Sequence, residues 1–218
     1  MEPKSFLMKK FIIIAMVTLI FVPLLSQQRT QEDIDKKIEA FFKNHGRWYN
    51  MNVPASDGQL LYDLILKNNY KQVLEIGTST GHSTIWMAWA LSKTGGKLIT
   101  VEIDRGRRQQ ALENFREAGV DHIIDSRLAD AHKLVPQLDG PFDFVFSDAD
   151  KDWYRRYFEM VDPKLKVGGC YATHNVSDRP GVQWNRDYLI YLQGLSNYET
   201  TVDNHGGGMA VSFKKANK

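Results

Sequence analysis

The sequence predicts an α/β domain: a mostly parallel sheet with helices on both faces, closed by a C-terminal antiparallel hairpin. Three observations carry that reading. Short apolar runs alternate with helix-length stretches from Gln72 to Thr173, the spacing of parallel strands joined by crossover helices. The first run empties into a glycine turn that opens a helix, Ile76-Gly77-Thr78-Ser79-Thr80-Gly81-His82. Near the C-terminus, Tyr198–Val202 and Met209–Lys214 flank Asp203-Asn204-His205 and three glycines. That pair breaks the alternation and reads as a hairpin.

Each element has its own signature. Gln27 to about Asn44 is polar and helix-friendly, with Ile34, Ile38, Phe41 and Phe42 on one stripe. A second helix starts near Ser56, where Ser56 or Asp57 can cap it, and runs through Leu60, Leu61, Leu64 and Ile65. Strands follow at Gln72–Ile76, Lys97–Ile103, His122–Leu128, Phe142–Phe146 and Lys166–Thr173, with helices at His82–Leu91 and Arg107–Ala118. With the hairpin, the sheet has seven strands. No internal repeat, low-complexity tract or interdomain linker interrupts it.

Composition narrows the partners. Of 218 residues, 28 are Lys or Arg and 26 are Asp or Glu, a net charge of +2. That balance gives no electrostatic case for nucleic acid. The lone Cys170 can form neither an internal disulfide nor a cysteine metal site, and its apolar-leaning run predicts a buried thiol. At the N-terminus, Lys4, Lys9 and Lys10 precede an apolar stretch, Phe11–Leu25, broken only by Thr18 and Pro23. This is the pattern of a secretory signal, although Leu24-Leu25-Ser26 is a poor cleavage site. The run is short for a membrane span, which needs about 20 residues. Residues 1–26 therefore read first as an export signal and second as a retained anchor, ahead of a single domain over 27–218. The expected location is periplasmic or extracellular, or membrane-anchored through that segment alone.

The glycine turn marks a ligand crevice outside the carboxyl ends of the strands. Gly77 and Gly81 allow close backbone approach, and Ser83 with the helix-start amides can receive a carboxylate. Glu102 closes the second strand, where an acid takes a ribose diol. The G-x-G-x-x-G fingerprint is absent because Ser79 stands at its second glycine. A pyrophosphate needs that close approach; S-adenosylmethionine has no phosphate. The pocket thus favours S-adenosylmethionine over a nicotinamide or flavin. The plainer alternative is a turn that serves helix packing only.

Several further segments extend the pattern: Asn52-Val53, Ser56-Asp57-Gly58-Gln59, Ile99-Thr100-Val101-Glu102 and Ala129-Asp130-Ala131. Phe142-Asp143-Phe144-Val145-Phe146-Ser147-Asp148-Ala149-Asp150-Lys151, Gly168-Gly169, Thr173-His174-Asn175-Val176 and Gly208-Met209-Ala210-Val211 complete it. As an ordered set, from Asn52 to the C-terminus, they resemble the metal-dependent O-methyltransferases of the catechol and caffeoyl-CoA type. The resemblance implies a Rossmann-like class I methyltransferase fold, a small catechol-like or phenolic acceptor, and a homodimer. It gives Glu102 the ribose hydroxyls, Ser83 the methionine carboxylate, Ala131 and His132 the adenine, and Asp150 the ammonium. Val53, Glu75, Gly77, Ser79, Gly81, Ile103, Asp130 and Asp148 complete the implied cofactor set. Asp148, His174 and Asn175 match the metal ligands, and Lys151 the general base.

The chemistry implied is coherent. A divalent cation chelated by neighbouring hydroxyls lowers the pKa of the one to be methylated. Like-charge repulsion pushes a nearby lysine toward its neutral, proton-accepting form. Alignment of the two substrates supplies most of the rate. Each residue also has a plainer role: Asp148 and Asp150 as strand-end polar groups, Lys151 as a solvated lysine. Trp153, Tyr154, Tyr157 and Phe158 read as core or rim, and Trp184 and Tyr188 as pocket wall or packing.

The pattern also departs from the family. The middle metal ligand, an aspartate there, is His174 here, which favours manganese, iron, cobalt or zinc over magnesium or calcium, or marks loss of the metal. The acid that anchors the second catechol hydroxyl aligns near the uncharged Asn197. The leader would carry the domain across the membrane, away from cytoplasmic S-adenosylmethionine. Alternatives are therefore a metal-independent methyltransferase on another acceptor, an exported ligand-binding protein with a degenerate methyltransferase fold, and, remotely, a nicotinamide oxidoreductase.

Overall fold

The computed structural model describes residues 30–46, 48, 51–182 and 185–216. The leader expected over residues 1–26 and the pocket role considered for Trp184 lie outside the described residues. Among the described residues, no helix is long and apolar enough to cross a membrane.

Helix α1 (Gln31–His45) opens on a capping box: Thr30 Oγ1 accepts the Asp33 N–H, and the Asp33 carboxylate accepts the Thr30 N–H. Helix α2 (Ala55–Lys67) starts after Pro54, so neither Ser56 nor Asp57 caps it. Asp57 instead lies in the first turn, buried. The alternation follows: β1 (Gln72–Ile76), α3 (His82–Thr94), β2 (Lys97–Glu102), α4 (Arg105–Ala118), β3 (Ile124–Leu128), α5 (Ala131–Leu134), β4 (Phe142–Ser147), α6 (Tyr154–Val161) and β5 (Leu165–His174). Helix α7 (Arg186–Gln193), β6 (Tyr198–Asp203) and β7 (Met209–Lys214) finish the chain. The third strand begins later than its sequence implied, because Asp121–Ile123 winds into a 3-10 turn.

The strand order is β3-β2-β1-β4-β5-β7-β6. Strands β1 to β5 are parallel, and β7 runs antiparallel between β5 and β6. Their period of two feeds two cores. Val73, Phe144, Phe146, Cys170 and Ala172 face the layer that includes Leu61, Ile85 and Phe115 of α2, α3 and α4. Leu74, Ile76, Val145 and Tyr171 face α6 and α7 through Tyr157, Phe158 and Leu189. Burial on both faces makes these strands read as unbroken apolar runs. The thiol of Cys170 is buried, as its setting predicted, and burial pushes its pKa up. The chain steps outward from β1 to β3, then returns to place β4 on the other side of β1. That reversal opens a crevice at the carboxyl ends of β1 and β4.

The ionisable side chain of Glu75 is fully buried inside this frame. Glu75 of β1 accepts hydroxyl bonds from Ser83 at 2.5 Å, Thr84 at 2.5 Å and Thr100 at 2.5 Å. Burial, only partly offset by those donors, pushes its carboxyl up to about 7. A carboxyl whose folded pKa is raised stabilises the fold while protonated, and that contribution fades as pH rises from about 4.5 to 7. His82, held down to about 4 chiefly by burial, works in the opposite direction. Comparison of wild type with Glu75→Gln isolates Glu75. Urea unfolding should show the wild type losing up to about 3 kcal/mol against E75Q between pH 4.5 and 8. A constant difference across that range would mean that Glu75 keeps one charge state throughout.

Candidate active site

The crevice is a cavity of about 570 Å³. Gly77 forms its floor with φ +103°, and a Cβ there would come within 2.6 Å of the Asp148 carbonyl oxygen. Only glycine lets the ends of β1 and β4 approach this closely. The turn then passes through Ser79, whose N–H donates to Glu102 Oε2 at 2.8 Å. The Asp104 N–H donates to Glu102 Oε1 at 2.9 Å. Two backbone amides thus fix the carboxylate at the end of β2, and each of its oxygens retains acceptor capacity toward the cavity.

The opposite wall is built on α5 and the loop after β4. Asp130 caps α5 by accepting the His132 N–H at 2.9 Å. The His132 ring stacks on Trp153, with centroids 3.6 Å apart and planes 11° apart. Its Nε2 lies 3.3 Å from Asp150 Oδ2. Asp150 caps the 3-10 turn Lys151–Trp153 through the Asp152 N–H at 3.1 Å. Lys151, exposed, lines the cavity together with Asp148 and Asp150.

At the inner end, β4 and β5 bring Asp148, His174 and Asn175 together. His174 Nδ1 is 3.1 Å from Asp148 Oδ2, while Nε2 donates to Asp57 Oδ2 at 2.8 Å. Burial alone would push this imidazole down; the hydrogen bonds and charges of Asp148 and Asp57 outweigh it and raise the ring to about 9. Asn175 holds the left-handed backbone that asparagine tolerates, φ +56°. Its carbonyl accepts from Asn185 Nδ2 at 2.7 Å.

The expected residues divide into two groups. Gly77, Ser79, Glu102, Ile103, Asp130, Ala131, His132, Asp148, Asp150, Lys151, His174 and Asn175 all line the cavity. Val53, Glu75, Gly81 and Ser83 do not. Val53 is buried, with its carbonyl bonded to His82 Nδ1. A Cβ on Gly81 would strike Phe115, so this glycine serves helix packing, the plainer of its two readings. The Ser83 hydroxyl is committed to Glu75. Asn197 is placed differently from its expected alignment: it precedes β6 at the end of the sheet away from His174, which pairs with Met209 and, through it, lies near Asp203. Tyr188 is packing, its hydroxyl bonded to Thr173. The sequence reading missed Met51 and Arg107 on the wall, and Asp57 behind it, whereas Tyr157, read as core or rim, is buried and borders the cavity. Asp57 was visible within Ser-Asp-Gly-Gln, but its partner is 117 positions away.

A five-stranded parallel core with an antiparallel C-terminal hairpin, a glycine turn after β1 and an acid at the end of β2 is the architecture of class I methyltransferases. The chain belongs to the O-methyltransferase family, whose model matches residues 26–185. It is 33% identical over 184 residues to a catechol O-methyltransferase of Niastella koreensis, covering 76% of this chain and 83% of that one. With a caffeoyl-CoA O-methyltransferase of Zinnia elegans it shares 37% identity over 163 residues, 66% of each chain. The chain spans about two thirds of the length of the plant relatives it matches, 63% to 67%. Among solved structures, the O-methyltransferase TomG of Streptomyces achromogenes, in complex with S-adenosylmethionine (SAM), superposes with a TM-score of 0.69 at 28% identity, covering 88% of this chain and 93% of that one.

Proposed function

We propose that the chain transfers the methyl group of S-adenosylmethionine to a hydroxyl of a small catechol-like or phenolic acceptor. One observation carries the reading: a single cavity joins the amide-locked Glu102 carboxylate to Asp148, Lys151 and His174. The chain's similarity to catechol and caffeoyl-CoA O-methyltransferases supports the same chemistry. In this reading Glu102 accepts both ribose hydroxyls, and Ala131 and His132 border the adenine. The Gly77–Ser79 turn carries the methionine end, with Asp150 facing its ammonium. Lys151 takes the proton of the attacking hydroxyl. The acceptor oxygen then bonds to the methyl carbon as the carbon–sulfur bond breaks, and the sulfonium leaves as a neutral thioether. Alignment across the cavity supplies most of the acceleration.

The donors at the inner end fit a borderline divalent ion. Asp148 offers a carboxylate, Asn175 an amide oxygen and His174 an imidazole whose Nε2 is already committed to Asp57, leaving Nδ1 on the cavity side. Imidazole in such a set favours manganese, iron, cobalt or zinc over magnesium. When bound, an ion there supplies Lewis acidity that lowers the pKa of a chelated hydroxyl. The same geometry favours a second reading, metal-independent transfer: a ring between two carboxylates is itself a cation where the resemblance implies an ion.

The test is methyl transfer from labelled S-adenosylmethionine to a panel of vicinal diphenols. The full chain is stripped of metal, then assayed with magnesium, manganese, iron, cobalt, zinc or chelator. The expected result is transfer restored more strongly by manganese or cobalt than by magnesium, and abolished by chelator. Undiminished transfer in chelator would establish the metal-independent reading. S-adenosylmethionine binding with no transfer under any condition would leave a ligand-binding protein.

A further inference from the structure

We infer that Asp57 is a positioning residue of the cation site: the buried carboxylate that turns the His174 ring so that Nδ1 faces Asp148. The inference rests on the metal-dependent reading above. Asp57 is 2% exposed and is not among the residues that line the cavity. A carboxylate buried this deeply costs several kcal/mol unless its environment answers the charge. Here the answer is specific. Asp57 Oδ2 accepts His174 Nε2–H at 2.8 Å and the Gly207 N–H at 2.8 Å, and Ser56 Oγ lies 3.3 Å from Oδ1.

The glycines of the β6–β7 turn are explained by the same pair. A Cβ on Gly206 would collide with the Asp57 carboxylate, and one on Gly207 would lie 2.6 Å from His174 Nε2. Backbone of the hairpin tip therefore closes over the pair and shuts water out. One end of the imidazole is sealed in protein, the other faces the cavity. A histidine that donates one ring N–H to a carboxylate and presents its other nitrogen to a metal is a recurrent arrangement. Loss of such a carboxylate typically lowers metal affinity roughly 10- to 100-fold.

The test uses the full chain, metal-stripped and titrated with Co(II), following heat of binding and the cobalt absorption bands. Wild type should bind one ion with a nitrogen-containing ligand field. Asp57→Asn should raise the Co(II) Kd roughly 10- to 100-fold and shift the bands, with Asp57→Glu recovering part of the loss. Gly207→Ala, which keeps the carboxylate but drives a methyl toward Nε2, should weaken binding in the same direction if D57N does not fold. Equal affinity and identical bands in wild type, D57N and G207A would overturn the inference and leave the metal reading standing. No Co(II) binding by wild type would overturn both.

Discussion

Glu102→Ala should weaken S-adenosylmethionine binding by about 100-fold. The carboxylate is held by the Ser79 and Asp104 amides at 2.8 and 2.9 Å before any ligand arrives, so little ordering remains to be done on binding. A charge-assisted hydrogen bond contributes about 1.5–3 kcal/mol. Two of them to a ribose diol, partly replaced by water in the variant, leave roughly 3 kcal/mol, which is about two decades in Kd. Glu102→Gln keeps the shape but sets an NH₂ against one of the two amides, and should cost about tenfold. Calorimetric titration reads both. A dideoxyribose analogue of the cofactor separates ligand contact from damage to the turn, because its Kd should be nearly the same in wild type and E102A. Binding of S-adenosylmethionine by E102A within threefold of wild type would remove Glu102 from the ribose site.

The sheet was legible because its signals are local. The apolar runs at Gln72–Ile76 and Met209–Lys214 coincide with β1 and β7, and a strand buried on both faces needs nothing distant to announce itself. The glycine turn was legible for the same reason, yet its two glycines serve different ends. Gly77 makes room for the backbone after β4, whereas Gly81 makes room for Phe115, and nothing in the sequence separates those demands. Ser83 shows the limit of motif reading. A hydroxyl at a helix start resembles a carboxylate receptor, but here the buried Glu75 one strand below already claims it. Asp57 shows the limit in the other direction. Near a helix start it reads as a cap, and only the fold brings His174 and the triglycine turn against it. Asn197 was misplaced because hairpin register decides which end of β6 meets the site. A single sequence does not encode that register visibly.

Lys151→Ala should lower kcat by roughly 100- to 10 000-fold, the span of a lost general base, with S-adenosylmethionine affinity within about threefold. Most of the other titratable groups on the cavity wall are committed elsewhere. Glu102 is fixed by two amides, and Asp130 and Asp150 cap their turns. His132 lies flat on Trp153, and both nitrogens of His174 face carboxylates. Arg107 cannot give up its proton. Among the described residues, Lys151 has no ion-pair partner, and it lines the same cavity as Asp148. Lys151→Arg then distinguishes proton transfer from charge. Guanidinium keeps the positive charge but does not deprotonate, so K151R should be nearly as slow as K151A if the lysine removes the acceptor proton. Recovery of most of the activity in K151R would make the residue an electrostatic anchor. Acceptor acidity gives a second discriminator: acceptors of lower phenolic pKa should lose less activity in K151A, because they need less help to ionise. An equal loss for all acceptors would assign the proton to solvent.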